Sequence, residues 1–264
     1  MTNTIQFPKK IEGVIFDIDD TLLDNQAAVS FGTIHEVTRL RAVHHVAKKY
    51  NLAQLLTLTE QENYDAFLNA KVHSLGGAVW EVMYLKGVVE SNEYDPEHVL
   101  LNEIITMKNE LHADTLRELG RTVLGAVEFV HGLAEEYGIQ SHMAIASSAI
   151  RRDINIFLDE MTDLRQYFPD ERIVSLEDIP HNRGKPHPDP FNKAFALLHL
   201  PAASRGNVLA FEDDPRGVIS AKKAGLYVCA ITTRFGADHP GLLAANPDVI
   251  IDDYSDFIDH LRAR

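Results

Sequence analysis

The chain has 264 residues, 45% hydrophobic and 24% charged, with 39 acidic against 25 basic side chains and a formal net charge of −14. That length suits one large or two modest domains, and the composition suits a globular chain with a sizeable core. The acidic balance weighs against a nucleic-acid surface, the single Cys229 excludes an intrachain disulfide, and no apolar run approaches the roughly 20 residues of a membrane helix. No N-terminal stretch has the apolar region of a signal peptide, so the expectation is a cytoplasmic protein.

In chain order, residues 11–16 read as a short core strand. From residue 27 to about 119 the pattern turns helical, with Phe31, Ile34, Val37, Leu40 and Val43 at three-residue steps. Further helices are expected over 60–73, 78–89 and 96–119, with breaks at Asn51, at the Gly76-Gly77 pair and around residues 91–96. After Gly125, helices (127–137, 154–161, 191–198, 218–224, 257–261) alternate with short apolar strands (143–146, 173–174, 208–211, 227–231, 249–251). This alternation predicts an α/β fold, a doubly wound parallel sheet covered on both faces, with an all-helical segment inserted after the first strand. The expected domains are 1–24 with 121–264, and 25–120.

The strand ends carry the chemistry. The stretch VIFDIDDTLLD sets Asp17, Asp19, Asp20 and Asp24 directly behind a buried run. Side chains two apart in extended chain point the same way, so Asp17 and Asp19 can converge. Two converging carboxylates repel unless a cation lies between them, and oxygen ligands suit Mg²⁺. Capping of a following helix by Asp20 or Thr21 is the simpler reading of the same residues. Residues 208–211 run into Glu212-Asp213-Asp214, then Pro215 suits a first helical turn. Residues 143–146 run into Ser147-Ser148, which suit either a phosphate or a cap. Between these, Lys185 lies on the stiff loop GKPHPDPF, placed to balance the acids.

Taken together, DIDDT, AIASS, GKPHPDPF and FEDDPRGVISAKKAGL resemble, in order and spacing, the four motifs of the haloacid dehalogenase superfamily of hydrolases. The helical insertion lies where that family carries its first type of cap. The chain looks most like the branch of beta-phosphoglucomutase and small sugar-phosphate phosphatases. The resemblance implies a Rossmann-like core, Asp17 as nucleophile, and Asp19 as general acid–base. It implies Mg²⁺ on Asp17, Asp19 (through its carbonyl), Asp213 and Glu212, with Ser147 and Lys185 holding the phosphoryl oxygens. The implied activity is Mg²⁺-dependent hydrolysis of a small phosphorylated metabolite through an aspartyl-phosphate. A phosphomutase and a catalytically silent phosphate-binding protein are the alternatives.

Several positions refine this. The dehalogenase branch lacks an acid–base aspartate at the place of Asp19. The mutase branch carries Thr and His where this chain has Asn25 and Val29. Asp20 and Asp24 read as structural, Asp24 as a hinge or cap. Arg151 and Arg152 suit either an anionic group or surface ion pairs. Lys71, Lys86 and Lys108 read as solvated lysines, Trp80 and Tyr84 as core of the insertion, and Cys229 as a small buried hydrophobe.

Overall fold

The computed structural model describes residues 8–72, 74–255 and 257. The chain divides between Asp24 and Asn25, and again between Gly120 and Arg121, into two compact units. Among the described residues no helix is long and apolar enough to cross a membrane.

The first unit holds a six-stranded sheet. Its strands are β1 (Gly13–Phe16), β4 (Met143–Ala146), β5 (Ile173–Val174), β6 (Val208–Glu212), β7 (Tyr227–Ile231) and β8 (Val249–Ile251). The order is β5-β4-β1-β6-β7-β8 and every pairing is parallel. Nearly every strand residue is buried, as a sheet covered on both faces requires. Alternation decides which face each serves. Ile15, Ala144, Ala146 and Ala210 pack with Phe191 and Phe195 of α8 (Asp189–Leu197), Val218 of α9 (Pro215–Lys223) and Leu242 of α10 (Pro240–Ala245). On the other face Phe16 and Phe211 stack at 5.0 Å, and both meet Phe129 of α6 (Ala126–Tyr137) edge-on. This is the doubly wound α/β architecture, and β1 at its centre is where the chain reverses direction across the sheet.

Two short strands, β2 (Leu23–Asp24) and β3 (Arg121–Thr122), pair antiparallel where the chain divides, with Asp24 opposite Arg121. A two-residue pair has no periodicity to read, so neither strand is visible in the sequence.

The second unit contains α1 (Ile34–Tyr50), α2 (Ala53–Leu56), α3 (Glu60–Asn69), α4 (Leu75–Leu85) and α5 (Val99–Leu119). Helix α1 starts at Ile34 and not near residue 27, because Thr33 and Glu36 form a reciprocal capping box. It ends on Asn51 in the left-handed region, φ 55°. The Gly76-Gly77 pair lies inside α4 and not at a break. Ser74 caps the Gly77 N–H, and a Cβ at Gly77 would fall 1.9 Å from the Val72 carbonyl, so close approach explains the glycine. Trp80 is core, but Tyr84 is 39% exposed. Lys108 is buried and not solvated, because it faces α1 from the inner side of α5, with Nζ 3.4 Å from His35 Nδ1. Lys86 is largely covered and pairs with Glu62 at 2.7 Å.

Elsewhere the 154–161 helix is realised as α7 (Arg151–Ile156) followed by a π-type turn over Phe157–Met161. The helix expected over 257–261 lies outside the described residues except for Phe257, and His73 of the 60–73 stretch lies outside them too.

Candidate active site

Parallel strands in register bring residues distant in sequence to one edge. Phe16 aligns with Ile145 on one side and with Phe211 on the other. Asp17 therefore leaves β1 between the end of β4, which leads to Ser147, and Glu212. The Asp17 N–H donates to the Phe211 carbonyl at 3.0 Å, extending the ladder past the strand. The next turn is tight: three successive N–H groups, Thr21 to Leu23, donate to the Ile18 carbonyl. Asp20 takes a left-handed conformation, φ 55°, which aspartate tolerates better than most side chains. Asp19 stays half-buried beside it.

Lys185 Nζ donates to Asp17 Oδ1 at 2.5 Å and also to Glu212 Oε1. All three side chains are less than a tenth exposed. The Lys185 ammonium also sits 5.1 Å from the centre of the Phe191 ring. The second Glu212 oxygen accepts the Asp214 N–H at 3.2 Å. A Cβ at Gly217 would lie 1.9 Å from the Glu212 carboxyl carbon, so only glycine lets α9 pass this close. Asp213 turns the other way. Its Oδ1 is 3.4 Å from the Thr21 hydroxyl, and its Oδ2 is buried with no hydrogen-bond partner among the described residues. Asp214 is a helix cap, accepting the Arg216 N–H at 2.8 Å. Ser147 is buried, and its hydroxyl accepts the Ala149 N–H at 3.1 Å.

One oxygen each from Asp17, Glu212 and Asp213 lie within 4.8 Å of one another. Burial raises the proton affinity of Asp17 well above the usual carboxylate range; Glu212 and Asp19 add to this, and Lys185 opposes it. Asp213 is raised well above that range for the same reason, burial first and then Glu212 and Asp17. Burial also raises Glu212, against the pull of Lys185. Burial works against the Lys185 charge, yet Asp17 and Glu212 together hold its proton more firmly than an ordinary lysine's. With all three carboxylates ionised, one ammonium would leave two negative charges uncompensated in a dry place. A divalent cation carries the opposing charge, and the Asp213 Oδ2 atom is a ready ligand. The residues present fit such an ion.

Arg151 does not serve an anion site. Its guanidinium donates to the Asp170 and Ile173 carbonyls at 3.1 and 2.8 Å and to Asp178 at 2.7 Å, which ties α7 to the β5 segment. Arg152 pairs with Asp153 at 3.0 Å. Sequence reading passed over Tyr254, which is fully buried and donates to the Thr21 carbonyl at 2.9 Å.

Carboxylates and a lysine gathered at the carboxyl end of the central strand of a parallel doubly wound sheet stand where α/β enzymes of this architecture bind their ligands. The particular family is plain: the chain belongs to the haloacid dehalogenase-like hydrolases, whose family model matches residues 11–225. It is 25% identical over 253 residues to pyrophosphatase PpaX of Anoxybacillus flavithermus, covering 95% of this chain and 97% of that one. Over 135 residues it is 26% identical to the validoxylamine A 7'-phosphate phosphatase of Streptomyces hygroscopicus subsp. limoneus, covering 51% of this chain and 56% of that one. Among solved structures, a family IA variant 3 hydrolase of Entamoeba histolytica superposes with a TM-score of 0.68 at 18% identity, covering 95% of this chain and 99% of that one. A Thermotoga maritima protein named provisionally as a beta-phosphoglucomutase gives 0.66 at 21%, covering 96% and 99%.

Proposed function

We propose that this chain is a Mg²⁺-dependent phosphatase that hydrolyses a small phosphorylated metabolite through an aspartyl-phosphate on Asp17. The observation that carries the reading is the buried contact of Asp17 with Lys185, beside the Asp213 and Glu212 oxygens. The phosphatase names of the curated relatives support the substrate class. The acidic chain argues against a nucleic-acid partner. Its lone cysteine, buried in β7, suits a reducing, cytoplasmic setting.

In this reading an Asp17 oxygen attacks phosphorus and the bond to the ester oxygen breaks. Asp19 gives that leaving oxygen its proton. The Asp19 carboxylate then takes a proton from water, the water oxygen attacks phosphorus, and the bond to Asp17 breaks, releasing phosphate. Lys185 holds a phosphoryl oxygen, as does the Ser147 hydroxyl. A divalent cation on Asp17, Asp213 and the Asp19 carbonyl, with Glu212 beside it, would offset the repulsion between an anionic nucleophile and an anionic ester.

The test is phosphate release from a panel of phosphate monoesters and pyrophosphate, with Mg²⁺ and with EDTA. Asp17→Asn is expected to lose at least about three orders of magnitude in rate while folding normally. Activity within tenfold of the unsubstituted protein would remove Asp17 as nucleophile.

A further inference from the structure

We propose that Tyr254 is a positioning residue for the metal-binding end of the site: its hydroxyl holds Thr21, and Thr21 turns Asp213 so that one carboxylate oxygen is left for a divalent cation. The inference rests on the reading of Asp213 as a metal ligand given above.

Three groups far apart in sequence form one chain of contacts. Tyr254 Oη donates to the Thr21 carbonyl at 2.9 Å. Thr21 Oγ1 reaches Asp213 Oδ1 at 3.4 Å. Asp213 Oδ2, with no hydrogen-bond partner among the described residues, is buried at the other side of the same carboxylate. Tyr254 and Thr21 are fully buried and Asp213 is 3% exposed, so water does not compete along this path. A carboxylate with one oxygen engaged by Thr21 has its plane set, and the remaining oxygen is aimed.

Thr21 itself sits in a turn whose N–H groups converge on the Ile18 carbonyl, closed across by the Asp20 N–H donating to the Leu23 carbonyl at 2.6 Å. The Thr21 carbonyl accepts the Tyr254 hydroxyl. A buried carbonyl stripped of its donor pulls toward any other partner, and the turn shifts with it. The Tyr254 ring is clamped for this purpose. It stacks on Phe129 at 4.7 Å and lies 5.7 Å from Phe211, the residue just before Glu212 and Asp213. The same ring therefore touches β6, which delivers the metal acids, while its hydroxyl touches the loop that follows β1. A phenylalanine there would pack equally well, so packing does not account for the hydroxyl.

The experiment is isothermal titration of MgCl₂ into metal-free protein, comparing the unsubstituted chain, Tyr254→Phe, Thr21→Val, their combination, and Asp213→Asn. Tyr254→Phe keeps the ring, and its fold is checked by circular dichroism. The expected result is Mg²⁺ binding weakened about fivefold by Tyr254→Phe, the scale of one neutral hydrogen bond. The double variant should bind no more weakly than Thr21→Val alone, because both changes act on one path. If Asp213→Asn loses Mg²⁺ while Tyr254→Phe matches the unsubstituted chain, Tyr254 merely packs and the proposal fails with the metal reading intact. Full additivity of Tyr254→Phe and Thr21→Val would overturn the route through Thr21. Unchanged Mg²⁺ binding by Asp213→Asn would overturn the metal reading and this inference with it.

Discussion

Replacing Lys185 with methionine keeps an unbranched side chain, one atom shorter, and removes its charge. In the structure Nζ contacts Asp17 at 2.5 Å and Glu212 as well, and the three side chains are 8%, 7% and 1% exposed. Truncating one member of so buried an ion pair typically costs about 3–5 kcal/mol, because the partner charge is left in a dry site. Here the stranded groups can escape by taking protons. Burial already raises the proton affinity of Asp17 and Glu212, with Lys185 as the influence that opposes this. Removing Lys185 raises both further. An acid whose folded affinity is raised stabilises the fold below its unfolded pKa of about 4, and that contribution is lost as pH climbs through the folded value. The destabilisation by Lys185→Met should therefore be largest, about 3 kcal/mol or more, in EDTA at pH 8, and should shrink steadily toward pH 5. Urea unfolding at pH 8, 7, 6 and 5 measures it. A difference below about 1 kcal/mol at pH 8, the range of an exposed pair, or one that does not change with pH, would refute the reasoning.

Three further outcomes can be checked. The hydroxyl and N–H of Ser175 and the Arg151 charge hold Asp178 down to about 2 against the effect of its burial, so Asp178→Asn should cost about 2 kcal/mol at neutral pH in urea unfolding. Because a depressed acid stabilises only above its unfolded pKa, that penalty should vanish as pH falls from about 4 toward 2. Gly217→Ala should push Glu212 off Lys185 and lower phosphatase turnover at least about tenfold, measured by phosphate release, while Ala at the unencumbered Gly206 should leave it unchanged. Incubation with hexose 1-phosphates should give free phosphate faster than isomer, since the Val29 side chain offers no hydrogen bond where the mutase branch carries histidine. Faster isomer formation, followed by chromatography of the sugar phosphates, would favour the mutase.

The alternation of short apolar strands with helices, and the residue types at three strand ends, are legible in the residue pattern alone. These are local properties. A buried strand must be apolar, and a polar residue immediately after it marks the sheet edge. Asn51 as a helix stop and Pro215 at a first turn were legible for the same reason, since each acts through its own backbone.

Tertiary structure alone decided which of those polar residues meet. Lys185 and Asp17 are 168 positions apart, and Thr21 and Asp213 are 192 apart; parallel register, and no local signal, brings them together. It also decided against local signals. The Gly76-Gly77 pair lies inside a helix because Val72 and Tyr94 leave no room for a side chain. Arg151 is consumed by carbonyls and Asp178, and Lys108 is drawn inside between two helices. Tyr254 near the end of the chain reads as one more aromatic residue until the fold sets its hydroxyl against Thr21. A side chain's type limits what it can do, but burial and the groups facing it decide what it does, and those come from parts of the chain that sequence proximity does not connect.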